Sequence, residues 1–343
     1  VRFATNRNPI GKPIRGFGNT FSPVHPHSLR FGALSLESGA LKGVDASSLA
    51  ERFSGRISEG KASLEVYPEE LSVVPPVLGS SRMFGEIKSD MDVGIGTVIL
   101  IHGYDNSFED AIGAALAFQY RLQSLGAKLN VVAFSWPSDG KLTPLVAYQH
   151  DREDAATSGI AFSRAFQKLY EFLQLIPPNA KCGNLIHLVC HSMGNFVLEN
   201  TIWHLGKNLP GRRLPRVFSE VLLASPDVDT DALENPNKLG RLTEVGRRVT
   251  IYYNRQDKAL LVSELTKGNP DRLGTSGPKH PLDVPSGVVN VDCSLCITDF
   301  SKHSYYLDEA SRDVVETLKG KREDQITHRS YLASANAYIL QPK

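Results

Sequence analysis

Asn184 to Gly194 reads NLIHLVCHSMG and joins an apolar run to a helical pattern through one serine, Ser192. Leu185 to Cys190 has the near-continuous apolar character and the length of a parallel strand buried on both faces, whereas Phe196, Val197 and Ile202 follow helical spacing. The chain must therefore turn sharply at His191-Ser192-Met193. A strand-serine-helix turn strains the serine backbone and lifts its hydroxyl above the sheet. It also aims the first free N–H groups of the helix at the same point. A nucleophile at Ser192 and an oxyanion donor at the Met193 N–H are expected together. A serine that only caps a helix is the plainer reading of the same residues, and the rest of the chain decides between them.

From Thr97 onward, apolar strands alternate with helical patterns, as in a parallel sheet covered on both faces. Strands are predicted at Thr97 to Ile101, Leu129 to Phe134, Leu185 to Cys190, Val217 to Ala224, Val249 to Tyr253 and Val288 to Val291. Helical spacing covers Phe108 to Leu125 and Ala155 to Leu175, with a closing helix at about Ser304 to Leu318. Residues 1 to about 90 are rich in Gly, Pro and Ser, with short alternating pieces at Ser63 to Tyr67 and Leu71 to Val74 and no strong helical pattern. They read as an extension lying on the core. Lys267 to Gly287 is the one long irregular segment, and such loops in compact domains are usually functional or mobile.

The 343 residues are 41% hydrophobic and 22% charged, enough for a sizeable core. A net charge of +1 gives no electrostatic footprint for nucleic acid, so the pairs Arg212-Arg213 and Arg247-Arg248 read as solvated faces or helix ends. Four cysteines do not make a disulfide framework in so long a chain. Cys182 and Cys190 flank a buried strand, and Cys293 and Cys296 have redox-motif spacing without a redox-fold context. His25-Pro26-His27 has no evident partner cluster, so no metal is expected. No apolar run reaches membrane-spanning length and no signal peptide is visible. The expectation is a soluble protein, cytoplasmic or exported by an upstream signal outside this chain.

The turn at Ser192 resembles the nucleophile elbow of α/β-hydrolases, G-x-S-x-G, with Cys190 in place of the first glycine. HGYDNSFEDA from His102, FSWPSDG from Phe134, HSYYLDEA from His303 and the opening ATNR from Ala4 are similar to a bacterial branch of α/β-hydrolases of unknown function. The likeness covers most of the chain. It implies an α/β class and an α/β-hydrolase fold: a mostly parallel sheet with helices on both faces, plus an N-terminal extension. The expected division is an extension over 1–94 and a catalytic domain over 95–343.

A serine hydroxyl needs a base, and among ten histidines His303 is the best placed, after the last core strand and before the last helix. The α/β-hydrolase order is serine, acid, histidine. His187 reads as a hydrogen-bonded core residue, His191 as packing beside the turn and His328 as part of a polar tail; His150 precedes Ser192 in the chain. Two positions compete for the acid that orients the base. Asp257 after Val249 to Tyr253 is preferred; Asp227, with Asp229, after the preceding strand is the alternative. The second oxyanion donor is expected at the Tyr104 N–H, beside the tight turn at Gly103, with His102 structural and Trp136 and Pro137 walling an apolar substrate pocket.

These residues point to a serine hydrolase acting on a small-molecule carboxylic ester through an acyl-enzyme on Ser192. No metal or organic cofactor is required by that chemistry. A non-catalytic binding module on the same scaffold, and an acyltransferase or peptidase using the same residues, stand as alternatives.

Overall fold

The computed structural model describes residues 1–37, 49–138, 144–177, 185–260, 271–297 and 303–342. In chain order the strands are β1 (Arg2–Thr5), β2 (Arg7–Ile10), β3 (Gly16–Phe21), β4 (Arg30–Leu36), β5 (Ala62–Val66), β6 (Gly96–Ile101), β7 (Leu129–Ser135), β8 (Ile186–His191), β9 (Phe218–Ala224), β10 (Gly246–Tyr253), β11 (Val288–Asp292), β12 (Arg329–Leu332) and β13 (Ala337–Leu340). The longer helices are α1 (Leu49–Ser58), α2 (Gly79–Asp92), α3 (Phe108–Ser124), α4 (Pro144–Leu175) and α5 (Gly194–Asn208), followed by the closing helix Ser311–Leu318. Among the described residues no helix is long and apolar enough to cross a membrane.

Eleven strands form one sheet in the order β12-β13-β11-β10-β9-β8-β6-β7-β1-β4-β5. Pairings from β13 through β1 are parallel, and antiparallel pairs occur only toward the two edges. Every residue of β8 and β9 is buried, the reason their sequences read as largely apolar runs, interrupted by His187 and His191 in β8 and by Ser219 and Glu220 in β9. Met83, Phe162 and Val197 from α2, α4 and α5 pack on one face, with Leu188 and Val221. Ile112 and Phe118 of α3 and Val314 of the closing helix pack on the other, with Val98 and Val189. The fold is thus the expected α/β-hydrolase type. β6 lies between β7 and β8, so the chain leaves it first to one side and later to the other. A crevice opens at such a switch point, outside the carboxyl ends of the strands.

The edges depart from the sequence expectation. β1 pairs with β7 from Arg2↔Val132 to Thr5↔Ser135, so the first strand lengthens the sheet itself. α1 and α2 lie where no helical pattern is expected. α2 buries Met83, Phe84, Ile87 and Met91, a helical stripe diluted by Gly79, Ser80, Ser81 and Gly85. Leu71 to Val74 forms no strand: Glu70 and Val77 make an isolated bridge, and Leu71 and Val74 face solvent. The long helix begins at Pro144, ahead of the expected Ala155. The closing helix is broken into a short 3-10 turn, Tyr305–Leu307, and Ser311–Leu318, where the Ser311 hydroxyl donates to the Asp308 carbonyl.

The tail that reads as polar folds into β12 and β13, anchored by a buried ion pair. Arg329 Nε donates to Asp313 Oδ2 at 2.7 Å, and its second guanidinium nitrogen reaches Oδ1. Their side chains are 2% and 1% exposed. Tyr252 donates its hydroxyl to Asp313 and Arg329 donates to the Thr317 hydroxyl, so the remaining lone pairs are engaged. Breaking one partner of such a pair strands the other charge in a low-dielectric interior. Arg329→Met is therefore expected to lower unfolding stability by about 3–5 kcal/mol in urea titration; a loss below about 0.5 kcal/mol, the range of a surface substitution, would contradict this role.

Candidate active site

Ser192 leaves β8 with φ +52°, a left-handed conformation that costs a non-glycine residue about 1–3 kcal/mol unless its surroundings enforce it. They do so through hydrogen bonds. Ser192 N–H donates to the Ala224 carbonyl at 3.0 Å, and the Ser192 carbonyl accepts from Asp227 N–H at 3.2 Å. The same carbonyl accepts from both the backbone and the side-chain amide of buried Asn195, at 3.0 and 2.9 Å. Close approach does the rest. A Cβ on Gly194 would stand 2.6 Å from the carbonyl oxygens of Ile101 and His102, and one on Gly103 would stand 2.7 Å from Ser192 Cβ. Cys190 is fully buried, and burial pushes its thiol up, so it acts as a small apolar side chain.

The loops after β10 and β11 bring Asp257 and His303 together. His303 Nδ1 and Asp257 Oδ2 are 2.7 Å apart, with Asp257 1% and His303 20% exposed. Asp257 Oδ1 accepts from the backbone N–H of Ala259 at 3.1 Å and of Leu260 at 3.4 Å, which fixes the carboxylate. A carboxylate on Nδ1 keeps the proton there and leaves Nε2 as the acceptor of a neutral imidazole. The His303 carbonyl accepts from the Ser225 hydroxyl at 2.9 Å and lies 3.3 Å from His191 Nε2. The His191 ring, adjoining Ser192, is 4.7 Å from the His303 ring.

Asp227 points elsewhere. Its Oδ2 accepts from the Tyr148 hydroxyl at 2.5 Å, and its Oδ1 lies 3.3 Å from Nε of fully buried Arg272. Asp229 pairs with Arg272 and with Lys238. His150 is exposed, 3.6 Å from Asp154.

After β6, His102 donates from Nδ1 to the Gly103 carbonyl at 2.9 Å and accepts the Trp136 N–H on Nε2 at 3.1 Å. The Trp136 indole N–H donates to the His102 carbonyl at 2.9 Å, and the two rings stack 5.2 Å apart. Trp136 and Pro137 are buried, so the expected pocket wall is corrected. A buried indole needs an acceptor, and the one it finds turns its ring onto His102 in the core. Tyr104 stands with its ring 5.9 Å from that of Tyr148. Met193 has its side chain buried and its backbone at the head of α5. A cavity of about 350 Å³ at the face of α1 and α3 is lined by Leu49, Ala114 and Arg121 together with His102, Asn106, His191 and Tyr306.

Sequence reasoning missed the groups that brace this loop. Fully buried Arg7 donates to the Asn106 carbonyl at 2.6 Å and to the Ser135 hydroxyl at 2.8 Å, tying the loop after β6 to the end of β7. The opening ATNR string carried that residue without revealing its contact. Among the described residues one cluster could hold a cation, His150, Asp151 and Asp154, with ligand atoms within 4.8 Å of one another. Asp151 there already accepts from the Ser138 hydroxyl. The rings of His25 and His27 stack edge-on, 4.8 Å apart. Cys293 and Cys296 are free thiols, and Cys182 lies outside the described residues.

The family described as alpha/beta hydrolase of unknown function (DUF900) matches residues 84–341. The chain belongs to this α/β-hydrolase family. No curated protein matches it. Among solved structures it is similar to an iodinated complex of acetyl xylan esterase, at 11% identity and a TM-score of 0.36, over 66% of this chain and 98% of that one.

Three histidines of this α/β-hydrolase are held neutral. Burial, then the Arg7 charge, lowers His102 to about 3; burial, then Arg248, lowers His187 to about 4. Burial, then His303, takes His191 well below its ordinary value. His187 is corrected in one respect: it is a core residue, but its buried Nδ1 has no hydrogen-bond partner. The unfolded chain protonates such groups near pH 6.5 and the folded one only at lower pH, so the unfolded state binds more protons in between. Stability is full above about pH 6.5 and falls as the solution is acidified toward pH 4. Thermal unfolding should show a Tm that holds between pH 7.5 and about pH 6.5 and then falls steadily toward pH 4; a profile flat down to pH 4 contradicts the burial of neutral imidazoles.

Proposed function

We propose that the protein is a serine hydrolase that cleaves carboxylic esters through an acyl-enzyme on Ser192. The observation that carries this reading is the 2.7 Å pairing of His303 with Asp257 beside the strained serine turn. His303 Nε2 takes the Ser192 proton as Oγ attacks the ester carbonyl, and the backbone N–H groups of Tyr104 and Met193 receive the oxyanion. Collapse of the tetrahedral intermediate breaks the carbonyl–alkoxy bond, and the alcohol leaves with the proton carried by His303. Water, deprotonated by the same imidazole, then releases the acid and restores Ser192. Asp257 holds the imidazole tautomer and offsets the charge of the transient imidazolium.

An ester suits this site better than an amide because an alkoxide leaves more readily than an amine. Asp227 serves structure in this account, because its carboxylate answers Arg272 and Tyr148.

The reading is tested with p-nitrophenyl acetate and the purified protein. Ser192→Ala should abolish turnover and Asp257→Asn should lower kcat by about 10⁴-fold. Asp227→Asn should cost far less turnover while lowering stability, by weakening the partner of a buried guanidinium. Turnover that survives Ser192→Ala ends the proposal, and reversed effects of the two aspartates move the acid to Asp227. Product analysis with added alcohol or amine acceptors separates hydrolysis from acyl transfer.

A further inference from the structure

At the amino ends of the strands, away from Ser192, a cavity of about 360 Å³ opens between α2 and α4 under the starts of β8 and β9. At about 3.3 Å per residue, the length of β8 puts roughly 20 Å between it and Ser192. Its floor is apolar: Phe84, Ile87 and Met91 of α2, Leu169 and Leu173 of α4, and Phe218 of β9. Behind Phe84, Leu169 and Phe218 the space continues inward as a further void of about 40 Å³ that reaches Phe134 and Phe162. An apolar slot of this kind, open at its mouth, is a shape that receives a hydrocarbon chain.

The rim carries one sign of charge. Lys88, Arg216 and Arg247 line the mouth, and Arg216 and Arg247 are exposed. Lys88 is paired with Asp92, which leaves the two guanidinium groups as the anion-facing element. Both also line a neighbouring groove with Arg213, Thr243 and Ser286, which extends the cationic edge outward. Glu244, the acid in that groove, is taken up by Arg241 and the Leu214 N–H. Planar guanidinium groups match carboxylate and phosphate oxygens in a bidentate manner.

We propose that this cavity binds a single-chain amphiphilic anion, with its alkyl tail between α2 and α4 and its anionic head on Arg216 and Arg247. The site is separate from the candidate active site and does not depend on the hydrolase reading. Its position, against the helices that cover β6 and β8, makes it a binding site behind the catalytic face.

The test is calorimetric titration of the full chain with sodium dodecanoate below its micelle concentration. One saturable site is expected, with affinity falling by up to ~fourfold for each methylene removed on going to octanoate, the transfer contribution of one CH₂ group. Dodecyl phosphate should bind as well, and dodecyltrimethylammonium, with the same tail and a cationic head, should not. Arg216→Gln combined with Arg247→Gln should weaken dodecanoate by about tenfold, the scale of losing a charged hydrogen bond. Leu173→Trp, which fills the slot, should abolish binding; if that variant fails to fold, the exposed arginine pair carries the test. Ser192→Ala should bind dodecanoate as the parent does. Absence of saturable binding, equal affinity for the cationic amphiphile, or an affinity unmoved by the rim substitutions overturns the proposal. So does displacement of dodecanoate by covalent modification of Ser192, which would put the ligand at the other end of the sheet.

Discussion

One backbone conformation organises the neighbourhood of the candidate site: Ser192 at φ +52°, pressed against the carboxyl end of β6. Neither feature is stable alone. The turn needs Asn195, Asp227 and Ala224 to hold its peptide groups, and the approach needs glycine at Gly103 and Gly194, because a Cβ at either would collide with neighbouring atoms. The strain is supported by the surrounding sheet, which over-determines the turn and keeps the serine from relaxing into ordinary helix.

The sheet topology carries the other groups to the same edge. β8, β9, β10 and β11 are successive parallel neighbours, so the loops at their carboxyl ends stand side by side. Ser192 follows β8, Asp227 follows β9, Asp257 follows β10 and His303 follows β11. Two aspartates thus reach the edge, and the partition between them is electrostatic. Arg272 lies across Asp227 and Tyr148 donates to it, whereas Asp257 is met by two backbone N–H groups and the His303 imidazole. His102, Trp136 and Arg7 brace the loop after β6 from beneath.

The central strands were legible in the sequence because parallel strands buried on both faces must be largely apolar, as β8 and β9 are. The elbow was legible because strand and helix periodicities meet at a single serine. α2 was not, since Ser and Gly between Met83, Ile87 and Met91 mask the stripe that packs on β6. β12 and β13 were hidden for another reason: β12 is partly or fully exposed throughout, and its tie to the core, Arg329 on Asp313, is a charge pair that no periodicity reveals, although Ala337 and Leu340 of β13 are buried. Trp136 shows the limit of reading a strand end, because its burial depends on the carbonyl of His102, supplied by the loop after β6. The choice between Asp257 and Asp227 rests on Arg272, a residue far along the chain whose partner no spacing rule identifies.

The central claim is that the Ser192 hydroxyl is activated by His303 and Asp257. The most direct measurement is the intact mass of the protein after exposure to a fluorophosphonate, with the modified peptide mapped. The account predicts one phosphonyl group per chain, on Ser192, formed far more slowly in Asp257→Asn and absent in His303→Ala. A folded protein that stays unmodified, or that is modified at another residue, would contradict it.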